Sequence, residues 1–134
     1  MNEKTIINPN ARGFAGLLKN IMEPLNANPD FKQKFKKVNK KFLINAPNLH
    51  HAAILSVNEG TLKVESIPNK PASNLSKKEI HWDGFISMDS QIFLALAMNR
   101  ISMMGIMVKW ISKKVTMKGI LNLLTLLKIF NFLK

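Results

Sequence analysis

A chain of 134 residues that is 46% hydrophobic and 21% charged folds as one domain with a real core. Its 20 lysines and arginines against 8 acids leave a formal charge of +12, which is either a solvated lysine-rich surface or an attraction to nucleic acid or anionic lipid headgroups. The absence of cysteine excludes a disulfide framework and a thiolate zinc site.

The start, MNEKTIINPN, lacks the charged-then-apolar layout of a secretory leader, so residues 1–10 are expected to be a flexible N-terminus and the protein cytoplasmic. Asn10 is a plausible N-cap for a helix over 11–25, in which Phe14, Leu17, Leu18, Ile21, Met22 and Leu25 recur at three- and four-residue spacing. Pro24 closes or kinks that helix. A second short helix starts at Pro29 and Asp30, with Phe31, Phe35 and Val38 as its buried stripe.

Between those apolar positions stands the densest basic cluster, Lys32, Lys34, Lys36, Lys37, Lys40 and Lys41. It is either a solvated lysine face or a patch for anionic membrane headgroups. A specific nucleic-acid reader is not expected. Only Arg12 and Arg100 could make bidentate contacts, and there is no tyrosine for base stacking.

The period then changes to two. Phe42 and Ile44 begin a strand that Pro47 and Asn48 break, and residues 50–57 and 61–67 read as a hairpin turning through Asn58, Glu59 and Gly60. Residues 68–78, with Pro68 and Pro71, are expected to be a polar, mobile loop. A further strand over 79–88 sets Ile80, Trp82, Ile86 and Met88 on one side against His81, Asp83, Phe85 and Ser87 on the other. Ser87 or Asp89 caps a helix over 90–100, a methionine-rich stretch follows, and residues 113–118 form a last strand with Val115 and Met117 on one face.

The last segment, 120–133, is helical and nearly all apolar. Asn122, Thr125, Lys128, Asn131 and Lys134 recur every third residue, so the polar line winds around the helix rather than holding one face. The run is also shorter than the roughly 20 apolar residues of a membrane span. Such a helix needs apolar neighbours on more than one side: core, a partner chain or a bound lipid.

Catalytic chemistry finds few residues. His50 and His51 are adjacent on a strand and face opposite ways, whereas His81 and Asp83 share a face as a conceivable metal or proton-transfer pair. The glycine-containing stretches 12–16 and 117–120 lack the length and the following Lys-Ser/Thr of a phosphate loop, and no nucleophile motif is present. No enzyme activity, cofactor or metal is expected.

The stretches HWDGFISMDSQIFLAL (81–96) and KKVTMKGILNLLTLL (113–127), with support from 25–35 and the hairpin 50–67, resemble the sterol carrier protein-like lipid-binding family over roughly residues 10–134. The resemblance implies an α/β (α+β) domain spanning 1–134. Its five-stranded, mostly antiparallel sheet is covered by helices on one face, with an apolar tunnel between the layers. The ligand it implies is a fatty acid, acyl-CoA, sterol or isoprenoid lipid. Its expected contacts are Trp82, Ile86, Phe93, Ala97, Met103, Met104, Met107, Trp110, Met117, Leu124 and Leu127. The alternative is an interaction module or homodimer that uses the C-terminal helix, and both monomer and homodimer are open.

Overall fold

In a computed structural model of the protein, which describes residue 7, residues 13–92 and residues 115–132, the first apolar periodicity forms α1 (Gly13–Met22). Pro24 does what a proline near a helix end does: the chain tightens into a 3-10 turn (Glu23–Ala27). Asn28 then caps α2 (Pro29–Lys34), its side-chain oxygen accepting from the backbone N–H of Asp30 and of Phe31. Phe31 and Phe35 are buried as the spacing predicts.

Five strands follow: β1 (Asn39–Asn45), β2 (His51–Asn58), β3 (Thr61–Pro68), β4 (Gly84–Met88) and β5 (Val115–Lys118). They lie in the order β3-β2-β1-β4-β5. β1 pairs antiparallel with β2 and parallel with β4, while β2–β3 and β4–β5 are antiparallel. β2 and β3 form the expected hairpin around Glu59 and Gly60, both with positive φ. The free edge of β3 is partly tied down. Asn26 exchanges two hydrogen bonds with the backbone of Leu62, and Glu23 accepts from the N–H of Val64.

Both faces of this sheet are apolar. Phe42, Ile44, Ala53, Leu55, Val57, Leu62, Val64, Ile86, Met88 and Val115 point to a large core closed by α1, α2 and the C-terminal helix, α4 (Ile120–Asn131). On the other face Leu43, Ala52, Ile54 and Ile67 form a second, smaller core with Ile80 and Trp82.

That second face corrects two expectations. Residues 68–78 are not simply a polar loop: they carry a 3-10 turn (Ala72–Leu75) and the start of α3 (Lys77–Ile80), capped by the Ser76 hydroxyl. Nor does a strand run from 79; α3 ends at His81, which adopts the left-handed conformation, and β4 begins only at Gly84. The physical reason is the same for both. The chain must carry Leu75, Ile80 and Trp82 across the second face before it can return beside β1 as a parallel strand. Helices therefore cover one face, and a short helical crossing covers the other.

The helix expected over 90–100 is described only at its start, where residues 90–92 are helical and the Asp89 carboxylate accepts from the N–H of Gln91, which makes Asp89 rather than Ser87 the capping residue. The rest of that helix and the methionine-rich stretch lie outside the described residues.

α4 is joined to the sheet at one tight crossing. Gly119 has φ +70°, and a Cβ there would collide with the backbone carbonyl of Asp83. Gly84, next along, admits Leu123 and Phe42 so closely that a Cβ would lie 2.9 Å from one and 3.1 Å from the other. Gly119→Ala is expected to lower stability by at least about 2 kcal/mol, because a backbone neighbour cannot rotate away and the conformation disfavours a side chain. Chemical denaturation measures this, and an unchanged midpoint contradicts it.

Candidate functional site

The two long helices share one face of the sheet but sit on different strands: α1 packs on β2 and β3, α4 on β4 and β1. On α4, Leu123, Leu126, Ile129 and Phe130 point into the core, and Leu127 is half-buried against it. Leu17 of α1 stays 44% exposed, as do Ile120 (40%) and Leu124 (43%) of α4. Ile86 lies on the floor beneath, paired across β4–β5 with the half-buried Met117. Ile86, Met117, Leu124 and Leu127 thus belong to one side of the sheet. Phe93, Ala97, Met103, Met104, Met107 and Trp110 lie outside the described residues.

Trp82 does not join them. It precedes β4 and faces the second core, stacked at 5.6 Å on Phe85, with its indole N–H donating to the Leu75 carbonyl at 3.0 Å. The expected shared side of Trp82 and Ile86 fails because the strand starts two residues too late to include the tryptophan. The signal that could have placed it was the unbroken apolar run in Phe42, Leu43 and Ile44 and in 52–55, the pattern of strands buried on both faces.

His81 and Asp83 likewise are not strand neighbours. The Asp83 carboxylate accepts from the Lys41 N–H at 2.8 Å, which holds β1 against the crossing chain. Asp83 and His81 line an open groove of about 370 Å³ with Asn39, Lys40, Lys41, Ser56, Val57 and Asn58. Among the described residues no group of three histidines, aspartates or glutamates could hold a metal ion.

A second space, of about 190 Å³ and mostly apolar, is lined by Gly13, Phe14, Leu49, His50 and His51. His50 lies just before β2 and His51 is its first residue, and both border this one cavity. Its far wall, the β1–β2 connection, is pinned by Asn69, whose buried amide donates to Asn45, Ala46 and Leu49. Neither space is an enclosed tunnel.

The lysine run is divided by the fold. Lys32 donates to the Thr61 hydroxyl at 3.3 Å, Lys34 lies 5.6 Å over the Phe132 ring, and Lys40 donates to the Asn122 side chain at 2.6 Å. Lys36 and Lys37 are exposed in the turn after α2, and Lys41 points to the opposite side of β1 from Lys40. None of the six is ion-paired with a described carboxylate; the ion pair that is present joins Lys63 and Glu65. No described helix is long and apolar enough to cross a membrane.

No protein-family model matches the sequence, and no curated protein does. Solved structures do match. One titled "UbiJ-SCP2 Ubiquinone synthesis protein" superposes with a TM-score of 0.59 at 12% identity, over 90% of this chain and 88% of that one. The fold is that of a sterol carrier protein-like domain. The same fold accounts for a likeness to the stereoselective inverting sec-alkylsulfatase Pisa1 from Pseudomonas sp., with a TM-score of 0.54 and 12% identity over 75% of this chain but 14% of that one. A double mutant of that sulfatase gives 0.50 at 11% identity, over 66% and 12%. In the sulfatase, then, the sterol carrier-like fold corresponds to a small part of a much longer chain.

Asn69→Ala is expected to destabilise the protein by about 2 kcal/mol, since it leaves buried carbonyls around residue 46 without their donor. Hydrogen exchange would rise first at 46–51; uniform protection across β1–β2 would contradict the pinning role.

Proposed function

We propose that the protein is a non-catalytic lipid-binding carrier that holds a fatty acyl, sterol-like or isoprenoid ligand in an apolar tunnel between the sheet and the helices. The observation that carries this reading is the separate seating of α1 on β2 and β3 and of α4 on β4 and β1, over one apolar face of the sheet. The sterol carrier-like fold supports it, and a neighbour described as a ubiquinone synthesis protein favours isoprenoids among the ligand classes.

In this reading Ile86, Met117, Leu124 and Leu127 line the ligand, with Phe93, Ala97, Met103, Met104, Met107 and Trp110 completing the wall; Trp82 serves the second core instead. Binding by apolar area needs no cofactor. At about 25 cal/mol per Å², enclosing roughly 350 Å² of hydrocarbon contributes on the order of 9 kcal/mol before the costs of association. Lys32, Lys34, Lys36, Lys37, Lys40 and Lys41 would draw the loaded protein to anionic membranes.

Organic extraction of the purified protein followed by lipid mass spectrometry tests the reading directly. A co-purifying lipid and uptake of a fluorescent fatty acid are expected, and Met117→Glu should weaken that uptake at least about tenfold by placing a charge against hydrocarbon. A clean extract together with no uptake would overturn it.

The second reading, an interaction module or homodimer formed through α4, is favoured by one observation: Leu121 is 81% exposed. Light scattering separates the two. A lipid-bearing monomer supports the carrier, and a lipid-free dimer supports the module.

A further inference from the structure

Neither the core nor the proposed tunnel uses the outward side of α4. With Leu123, Leu126 and Phe130 turned inward, the helical repeat sends Leu121 and Lys128 to the opposite side and leaves Ile120 and Leu124 on the flank between. A leucine 81% exposed beside two more apolar side chains that are two-fifths exposed is a protruding apolar edge. There is no acid anywhere on α4.

Cations surround that edge. Lys128 shares the outward side. On the polar flank, Lys40 reaches Asn122 in the first turn, and Lys34 lies over Phe132 at the far end. Two lysines of the basic segment 32–41, Lys34 and Lys40, therefore stand beside the helix although they lie more than eighty positions away in sequence. The fold has brought part of a lysine cluster next to a greasy helix.

We propose that this surface docks on an anionic lipid bilayer. Leu121 enters below the headgroups, Ile120 lies at the boundary, and Lys34, Lys40 and Lys128 meet the headgroup phosphates and carboxylates. Charge complementarity selects this occupant: a chain with 20 cationic side chains and 8 acids repels a second copy of itself at close range and is attracted to an anionic plane. The helix lies on the membrane without crossing it, in keeping with its length. Docking is independent of the carrier reading, because a protein with an empty core would present the same edge.

Co-sedimentation of the full chain with vesicles of phosphatidylcholine mixed with phosphatidylserine tests the proposal, against vesicles of phosphatidylcholine alone and at raised salt. Binding to the mixed vesicles is expected, weakened by salt and by omission of phosphatidylserine. Leu121→Asp should weaken it at least about tenfold by removing the inserted side chain, and Lys128→Glu by about tenfold. An acid at 121 stands in the first turn of the helix, where the helix dipole tolerates it, and Leu121→Gln provides a neutral second variant. Circular dichroism and the unfolding midpoint verify that both remain folded. Fatty-acid uptake without vesicles is read separately, so that loss of docking and loss of ligand binding are distinct results. Equal binding by wild type and both Leu121 variants, equal binding to the two vesicle types, or no binding at all would overturn the proposal. So would a dimer that Leu121→Asp dissociates in a protein that ignores vesicles, which would assign the edge to a second copy.

Discussion

The whole arrangement depends on a sheet whose central strands are apolar on both faces. β1 and β2 send Phe42, Ile44, Ala53, Leu55 and Val57 to one side and Leu43, Ala52 and Ile54 to the other, so neither side can be left to water. Among the described residues, α1, α2 and α4 cover one face. The other is covered by what the chain carries across it between β3 and β4, with Ile7 packed alongside, and this is why a stretch rich in lysine, serine and proline contributes Leu75, Ile80 and Trp82 to a core. The parallel pairing of β1 with β4 follows from that crossing, since the chain re-enters the sheet beside its centre from the same end as β1.

The second determining contact is the joint at Gly119. There β5 turns into α4 with the glycine against the Asp83 carbonyl, the Asn122 amide donating to that same carbonyl at 2.9 Å, and Lys40 donating to the other end of the Asn122 side chain. The joint sets the angle at which α4 leaves the sheet. It therefore sets which leucines face inward and which, like Leu121, are left outside. Function in this reading is a by-product of incomplete cover. A helix with more apolar residues than the sheet can absorb has surface left over, some beside the proposed ligand and some turned to solvent.

Much of this was legible in the residues. The hairpin turn at Asn58, Glu59 and Gly60, the helix start at Pro29, the cap at Asp89, the proline-closed first helix and the buried Phe31 and Phe35 follow from local rules, because the groups that satisfy them lie within a few positions. The strand placed at 79 and the loop placed at 68–78 went astray for one reason. Ile80, Trp82, Ile86 and Met88 fit a period-two pattern locally, while Ile80 and Trp82 pack with Leu43, Ala52, Ile54 and Ile67, which come from three earlier strands. The shared side of Trp82 and Ile86 failed with them.

By itself, then, the sequence determined the class of protein: a small, cysteine-free, cationic α+β domain of sterol carrier-like build with more apolar helix than one sheet face can bury. Composition and short-range periodicity carry the charge, the kinds of element and the excess of apolar helix, because propensity and capping act within a turn or a strand; the sterol carrier-like build came from the resemblance of 81–96 and 113–127 to that family. Only the tertiary structure decided that the sheet is covered twice, that Trp82 belongs to the second cover, and that Lys40 and Lys34 reach Asn122 and Phe132 at the two ends of α4. These are contacts between segments tens of residues apart, and which distant surfaces meet depends on how the strands pair and how the chain crosses between them.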